Sequence, residues 1–360
     1  MKRPNLVNFM AIESDHHISI RASLSPADSQ SRAYLKSSIS NLAPSSPVQS
    51  LGMLSSEYYR LLIIGFDETQ NEIYRKEYES DSFGNFEIRF PSYLEGKNVH
   101  AVQAFELSTY PGLEILIGTF IPIKVKTPKK VVISDFDKTL VDTKYSSPRE
   151  LYESLRRPVE HFPKVQGSIE LIKKYIQEDY KPFILSASPH FYENAIRDWL
   201  YQHEIFTGNI ILKDYRKVFS LFEGDLTPKD LKTQGFYKLS SLVSILLMTG
   251  IPDELVLMGD GFESDTLIYL TLLSVIKGKT DPWKVWNSVK KIETFRLTTK
   301  QQSRFLNKFY RLGNLTKENT VKNAKVFIRC KSNNIEKNKN NKFAFDFINQ
   351  HLGTVEYYVA

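Results

Sequence analysis

The chain has 360 residues, 41% of them hydrophobic and 25% charged, with a formal net charge of +7. That length accommodates two domains and a large core, and the composition is that of an ordinary globular protein. A single cysteine, Cys330, excludes an internal disulfide, and no apolar run approaches the ~18 residues needed to span a bilayer.

The mild basic excess allows an anionic partner such as phosphate, phospholipid or nucleic acid, although part of it sits in the Lys/Asn-rich stretch Lys331 to Lys342, which reads as a solvated loop. Lys2-Arg3 followed by Leu6 to Ile12 faintly resembles a leader. Asn8 interrupts the run and Glu13 and Asp15 end it, so it reads as mature protein.

Residues 1–128 read as a small all-β, sandwich-like domain. His17 to Ala22 is the first expected strand, Ser37 to Ser56 a Ser/Pro-rich loop, and Arg60 to Phe66 a solid apolar strand. Glu72 to Tyr78 follows, then the turn Asp81-Ser82-Phe83-Gly84-Asn85. In Asn85 to Phe90, Phe86, Ile88 and Phe90 face one way while Asn85, Glu87 and Arg89 face the other. Val99 to Glu106 and Leu113 to Val125 supply further strands. The Asp-x-x-Gly-x-Phe turn resembles those of transthyretin-like and carboxypeptidase-regulatory-like modules. His16 and His17 are adjacent, lack further ligand partners and read as surface residues.

Thr127-Pro128-Lys129-Lys130 marks a boundary, and residues 129–360 change to β/α alternation, the pattern of a parallel sheet with helices on both faces. Val131 to Ser134 is a short buried strand. Ser168 is the expected N-cap of a helix carrying Ile169, Ile172, Tyr175 and Ile176. Phe183 to Leu185 is a second strand, after which Ser188 is expected to cap a helix with Pro189 in its first turn. Asn209 to Leu212 is a third strand, Lys238 to Thr249 a helix, and Leu255 to Met258 a fourth strand. Helical patterns from Thr266 to Ile276, from Asp281-Pro282 and from about Lys300 form a helical insertion around 270–320. Trp283, Trp286, Phe305, Phe309 and Tyr310 sit there at spacing that favours a core face over a membrane contact. Ala324 to Arg329 and Thr354 to Val359 read as the last strands, and Cys330, at a strand end, as a core thiol.

The polar residues that end these strands stand out. Asp135 and Asp137 follow the first strand, and alternation turns both to one side. Two carboxylates so close need a divalent cation or a shared proton, and the carboxyl end of a strand in an open α/β sheet is where such folds bind ligands. Ser186 follows the second strand, Lys238 starts a helix, and Gly259-Asp260 ends the fourth strand five residues before Asp265.

This order resembles the haloacid dehalogenase (HAD) superfamily of phosphatases. Asp135, Asp137 and Thr139 match its D-x-D-x-T motif, Ser186 the second, Lys238 the third, and Gly259, Asp260 and Asp265 the fourth. The resemblance implies a HAD-like Rossmannoid sheet, Mg²⁺ as cofactor, and an aspartyl-phosphate mechanism. Asp135 would be the nucleophile, Asp137 the acid and base, Thr139 a loop anchor, Ser186 a donor to phosphoryl oxygen and Lys238 the balancing cation. Asp135, Asp260 and Asp265, with the backbone carbonyl of Asp137, would hold the metal; Asp265 reads equally as the cap of the next helix.

Ser186-x-Ser188-Pro189 followed by Phe206-x-Gly208-x-x-Ile211-Leu212-Lys213-Asp214-Tyr215 resembles more closely the actin-patch-protein type of phosphatidate phosphatase, distantly similar to the lipins. Ser188 and Lys213 would then contact substrate. Two features depart from that family: Lys138 stands where it has an acid, and the helical insertion separates the fourth motif from the next strand. Leu140 to Gln166 leaves room only for a flap and Gly224 to Gly235 only for a loop, so a large or surface-presented substrate is expected. The expectation is a cytoplasmic or membrane-peripheral enzyme of lipid metabolism acting on phosphatidate or a similar lipid phosphate, with no nucleic-acid partner. The alternatives are a phosphatase for protein or nucleic-acid phosphate ends, and a non-catalytic phospholipid-binding domain.

Overall fold

The computed structural model describes residues 4–26, 58–142, 163–214, 235–261, 264–295, 299–330, 335–339 and 342–359. The loop expected at Ser37 to Ser56 lies outside them, as does most of the flap and of the connector at Gly224 to Gly235; half of the basic stretch Lys331 to Lys342 is described, and there Ile335–Lys339 form a short helix rather than the expected loop.

The amino-terminal strands are β1 (Pro4–Ser14), β2 (His17–Pro26), β3 (Arg60–Phe66), β4 (Glu72–Glu79), β5 (Asn85–Pro91), the short ribbon β6 (Tyr93–Leu94) and β7 (Lys97–Asn98), β8 (Ala101–Glu106), β9 (Ile115–Phe120) and β10 (Ile123–Lys124). They form two four-stranded sheets, ordered β10-β1-β2-β5 and β4-β3-β8-β9. Between them lie Ile18, Ile20, Ala22, Leu61, Ile63, Phe86, Ile88 and Phe90. The alternation in β5 is as expected, with Glu87 and Arg89 exposed.

β1 was not among the expected strands. A bulge between Val7 and Met10 shifts its register against β2, and Asn8 takes a left-handed φ of 52° there. The extra residue breaks the period of two that marks a half-buried strand.

The second part is a six-stranded, wholly parallel sheet. Its strands are β11 (Lys130–Asp135), β12 (Lys181–Pro189), β13 (Ile210–Lys213), β14 (Glu254–Asp260), β15 (Asn323–Arg329) and β16 (Val355–Tyr358), ordered β13-β12-β11-β14-β15-β16. Each strand divides its side chains between two cores. Val131, Ile133, Phe183, Leu185, Leu255, Leu257, Val326 and Ile328 go to one face. Val132, Ile184, Val256, Met258 and Phe327 go to the other. That is why these strands read as unbroken apolar runs.

Helices α1 (Gln166–Gln177) and α2 (Glu193–Gln202) cover the second face. α3 (Gly235–Thr249), α4 (Asp265–Ile276), α5 (Pro282–Val289) and α6 (Thr299–Glu318) cover the first. α5 starts as its sequence indicates, with Asp281 accepting from the Lys284 N–H at 3.0 Å and Pro282 in its first turn. In the helical insertion, Trp286, Phe305 and Phe309 are buried, with ring centroids 4.7 and 5.1 Å apart along the series, whereas Trp283 and Tyr310 are exposed. Among the described residues no helix is long and apolar enough to cross a membrane.

Two expected caps are not caps. Ser168 lies inside α1, whose N-cap position is Val165; it is buried and its hydroxyl meets the Tyr358 hydroxyl at 2.8 Å. Ser188 lies within β12, ahead of a short 3₁₀ turn at His190–Tyr192, and its hydroxyl turns to the strand ends instead. A serine satisfies local backbone donors only where no stronger tertiary partner competes for it.

β1 joins the two parts. Met10 and Ile12 enter the parallel-sheet core while Ala11 enters the sandwich core. The side-chain amide of Asn8 accepts from the Leu212 N–H at 3.0 Å and donates to the Leu212 carbonyl at 3.3 Å, closing the free edge of β13. Its own N–H donates to buried Glu193 at 2.5 Å. Ser14 donates to the Thr249 carbonyl at 2.5 Å, and Lys129 pairs with Asp15 at 2.6 Å. Asn8→Ala strands two buried backbone groups and should cost about 2–6 kcal/mol of stability, at about 1–3 kcal/mol for each group. Urea denaturation checks this, and a loss below about 0.5 kcal/mol, the ordinary surface value, removes the edge-closing role.

Candidate active site

The sheet order makes the strands run outward from β11 in both directions, so β11 and β14 are the adjacent strands at the switch in topology. In an open parallel sheet the crevice at that switch, at the carboxyl ends, is the place for a ligand. Asp135 ends β11 and Asp260 ends β14.

Asp135, Asp260 and Asp265 are all buried, and one carboxylate oxygen from each lies within 4.8 Å of the others. Lys238, on the first turn of α3 and also buried, donates to Asp265 Oδ1 at 2.6 Å and lies 3.4 Å from Asp135 Oδ2. Asp265 Oδ2 accepts the Asp260 N–H at 3.1 Å. Asp265 is therefore the first residue of α4 and yet spends its carboxylate on the strand end rather than on capping that helix. Gly259 makes this approach possible: a Cβ there would lie 2.5 Å from Asp265 Oδ2 and 2.8 Å from the Tyr269 ring.

Burial pushes the Asp135 carboxyl far above the usual carboxylate range. Lys238 opposes the shift, and Asp265, Asp260 and Asp137 add to it. Asp135 Oδ2 accepts a long hydrogen bond from Thr139 at 3.4 Å beside the Lys238 ammonium, and Oδ1, buried, receives no hydrogen bond.

The turn after β11 separates Asp137 from Asp135. Phe136 points into the second core against Trp199, with ring centroids 5.2 Å apart and nearly perpendicular. Its carbonyl accepts from the Leu140 and Val141 N–H groups at 2.9 and 3.2 Å. Asp137 stays half-buried. Its Oδ2 accepts from Ser186 at 2.6 Å and from Ser188 at 3.1 Å. The Ser188 N–H in turn donates to Ser186 Oγ at 2.9 Å, across the irregular stretch of β12. The structure thus gathers Asp135, Asp260, Asp265, Lys238 and Thr139 in one cluster and Asp137, Ser186 and Ser188 in another beside it.

Lys213 lies buried at the end of β13, and burial pulls its ammonium down to about 8 from an ordinary 10.5. Beside it, Asp214 accepts from Asn85 of the sandwich turn at 3.2 Å.

Two residues at this end of the sheet were not expected. Tyr237 donates to the Ser186 and Ile211 carbonyls at 2.9 and 3.1 Å, tying α3 to β12 and β13. Arg329, level with Asp260 at the end of β15, donates to the Lys138 carbonyl at 2.7 Å and to Asp142 at 3.1 Å. Lys138 has a left-handed φ of 58°, which a non-glycine residue holds only when its surroundings fix it. The signal for Arg329 was its place at the carboxyl end of a parallel strand, where the other site residues also stand.

Residues 130–281 match the model of the family described as phosphatidate phosphatase APP1, catalytic domain.

The matched segment, under half of the chain, supports the resemblance carried by the motifs and indicates a phosphatase hydrolase. It holds every expected site residue, whereas Arg329 and the sandwich lie beyond it. No curated protein matches the chain. Among solved structures, a β-glucuronidase of Parabacteroides merdae is 8% identical at a TM-score of 0.26, covering 91% of this chain and 34% of its own. One from Ruminococcus gnavus is 7% identical at 0.25, covering 93% and 44%. The chain thus spans between a third and a half of those proteins, and likeness at this level bears on neither its fold nor its activity.

Arg329→Met should cost about 1–2 kcal/mol in urea denaturation by stranding the Lys138 carbonyl. Arg329→Lys should recover only part, because an ammonium cannot serve both partners with one rigid fork; equal stability of all three proteins contradicts the assignment. For Lys213 the sign follows from its lowered value. The unfolded chain binds the proton more tightly, so wild type gains stability as pH rises from about 8 towards 10.5. Lys213→Met removes that dependence. Its stability relative to wild type should fall over this range, by on the order of 3 kcal/mol in all. A difference that stays constant from pH 7 to about 10 contradicts the shift.

Proposed function

We propose that this chain is a Mg²⁺-dependent phosphomonoesterase with a HAD-like catalytic domain over residues 129–360, acting through an aspartyl-phosphate on phosphatidate or a similar lipid phosphate at a membrane surface. The observation that carries the reading is the buried cluster of Asp135, Asp260 and Asp265 around Lys238, at the topological switch of the parallel sheet and within the segment that matches the phosphatidate phosphatase catalytic-domain model.

The donor set fits the cation. Three carboxylates outnumber the one ammonium, the oxygens are hard donors, and Asp135 Oδ1 is buried without a hydrogen bond. Asp135, Asp260 and Asp265 would hold Mg²⁺, with the Asp137 carbonyl as the further ligand the resemblance implies. When bound, the ion supplies positive charge that offsets the repulsion between a carboxylate and a phosphate dianion.

The rest of the chemistry belongs to the side chains. Asp135 attacks phosphorus as the ester P–O bond breaks, and Asp137 gives its proton to the departing alkoxide. Ser186 and Ser188, both on Asp137 Oδ2, hold that carboxyl in place and keep it apart from the buried cluster. Asp137 then takes a proton from water, which attacks the phosphorus of the acyl phosphate. Inorganic phosphate leaves and the Asp135 carboxylate returns. Lys238 stabilises negative charge on Asp135 and the phosphoryl group. Asp265 holds both the Lys238 ammonium and the Asp260 backbone, so it serves as an orienting group whether or not it also touches the metal. Lys138 adds a cation beside Asp137, which suits an anionic substrate.

Phosphate release from phosphatidate vesicles with Mg²⁺ tests the reading. Wild type should turn over, Asp135→Asn should be inactive, and Asp137→Asn should be slowed about 10²–10⁴-fold. EDTA should abolish release. Turnover of a phosphopeptide or 3′-phosphorylated DNA but not of vesicles removes the lipid substrate. Vesicle binding by all three proteins without release makes the chain a non-catalytic binder, and release that survives EDTA removes the metal.

A further inference from the structure

Away from the carboxylate cluster a second polar site lies between the sandwich and the helices. The outward face of β2 and β5 does not simply meet water. It turns towards the end of α3 and the middle of α6, enclosing a cleft of about 140 Å³. Arg21 and Arg89 line it from the strands, and Lys308 and Arg311 from α6. Leu247 and Met248 of α3 add apolar wall. Among the described residues one carboxylate lines the cleft beside these four cations: Glu87, paired across it with Lys308. In the strand register Glu87 stands opposite Arg21.

A solvated strand face of this kind ordinarily alternates signs and loses little by doing so. Here four cations and one carboxylate line an open-sided cleft, Arg21 and Lys308 partly buried and Arg89 and Arg311 exposed, so like charges crowd one another with a single anion to offset them. Three positive charges remain to be balanced. The three are the guanidinium forks of Arg21, Arg89 and Arg311, which offer the planar paired donors that match phosphate oxygens, and apolar wall beside them suits the carbon part of a phosphate ester. Met248 lies ten positions beyond Lys238 on α3, about 15 Å along the helix, so this cleft shares no wall with the carboxylate cluster.

We propose that the cleft between β2, β5, α3 and α6 is an anion site for a phosphate ester, either a free organic phosphate or a phosphorylated lipid headgroup. An anion there bridges the sandwich to α6, and the phosphatase reading can fail without affecting it.

Isothermal titration of the full chain with inorganic pyrophosphate in EDTA tests it. Arg21→Gln with Arg311→Gln should weaken binding about tenfold or more, as loss of charge-assisted hydrogen bonds does. Glu87→Gln should strengthen it, an opposite change that misfolding cannot mimic. Affinity unaffected by both substitutions, or lost equally in an exposed-lysine control such as Lys284→Gln, overturns the proposal. Two further arms separate the sources: sedimentation with phosphatidylinositol phosphate vesicles, and titration with the soluble inositol phosphate. Dependence on Arg21 and Arg311 in the vesicle arm identifies a lipid headgroup, and in the soluble arm alone a free phosphate. Dependence in neither arm overturns the proposal.

Discussion

The buried ammonium of Lys238 among three buried carboxylates is the constraint to which the carboxyl end of the sheet conforms. Taking one ion out of water costs several kcal/mol even after relaxation, and here four are taken out together. The arrangement holds because each contact is specific. Lys238 bonds Asp265 directly, Asp265 bonds the Asp260 backbone, and Lys238 stands near enough to Asp135 to lower the cost of its charge. One ammonium still leaves the cluster short of positive charge, which is why burial and neighbouring carboxylates push Asp135 towards its protonated form. A divalent cation resolves the same imbalance without removing the nucleophile. For this to work, the ends of β11 and β14 and the starts of α3 and α4 must meet within a few ångströms. The apolar cores on the two faces of the sheet enforce that meeting.

Much of this was legible in the sequence because its signals are local. Val131 to Ser134 and Leu255 to Met258 are apolar on both sides of the strand and so declare a sheet buried on both faces. Asp135, Ser186, Lys238 and Asp260 follow elements whose ends can be read from hydrophobic runs. What was not legible depends on partners distant in sequence. Ser188 and Ser168 look like caps because each precedes or opens an apolar helical pattern, yet Asp137 and Tyr358 win their hydroxyls. Arg329 reads as the last residue of a strand until its guanidinium is seen holding a left-handed turn 191 residues away. β1 was hidden by its own bulge, since an inserted residue destroys the alternation by which a strand is recognised.

That hidden strand changes how the amino-terminal part relates to the rest. A tethered adaptor would keep its own core and leave the edge of the parallel sheet to itself. β1 instead sends alternate residues into two cores, and Asn8 supplies to Leu212 the pair of hydrogen bonds that another strand would have supplied. The sandwich turn at Asn85 also reaches Asp214, one residue beyond the buried Lys213, and Asp214 lies 4.0 Å from the buried ring of His190. His190 follows directly on the stretch of β12 that presents Ser186 and Ser188 to Asp137.

From this follows a physical role for the sandwich that needs no ligand of its own. Asp137 is the half-buried carboxylate beside the cluster, and its position rests on two serines in an irregular segment of β12. An irregular segment has fewer ladder bonds to hold it than a regular one. Its neighbours must therefore hold it: Tyr237 from α3 on one side, and the β13 edge on the other, which β1 and the Asn85 turn brace. The acid–base end of the site is thus supported from the sandwich, while the metal-binding end is supported by the sheet and α3. Removing the sandwich would unbrace the β13 edge beside Asp137 and would also take Met10, Ile12 and the Ser14 bond to Thr249 away from α3, so both ends of the site lean on it, Asp137 through β13 and Lys238 through α3.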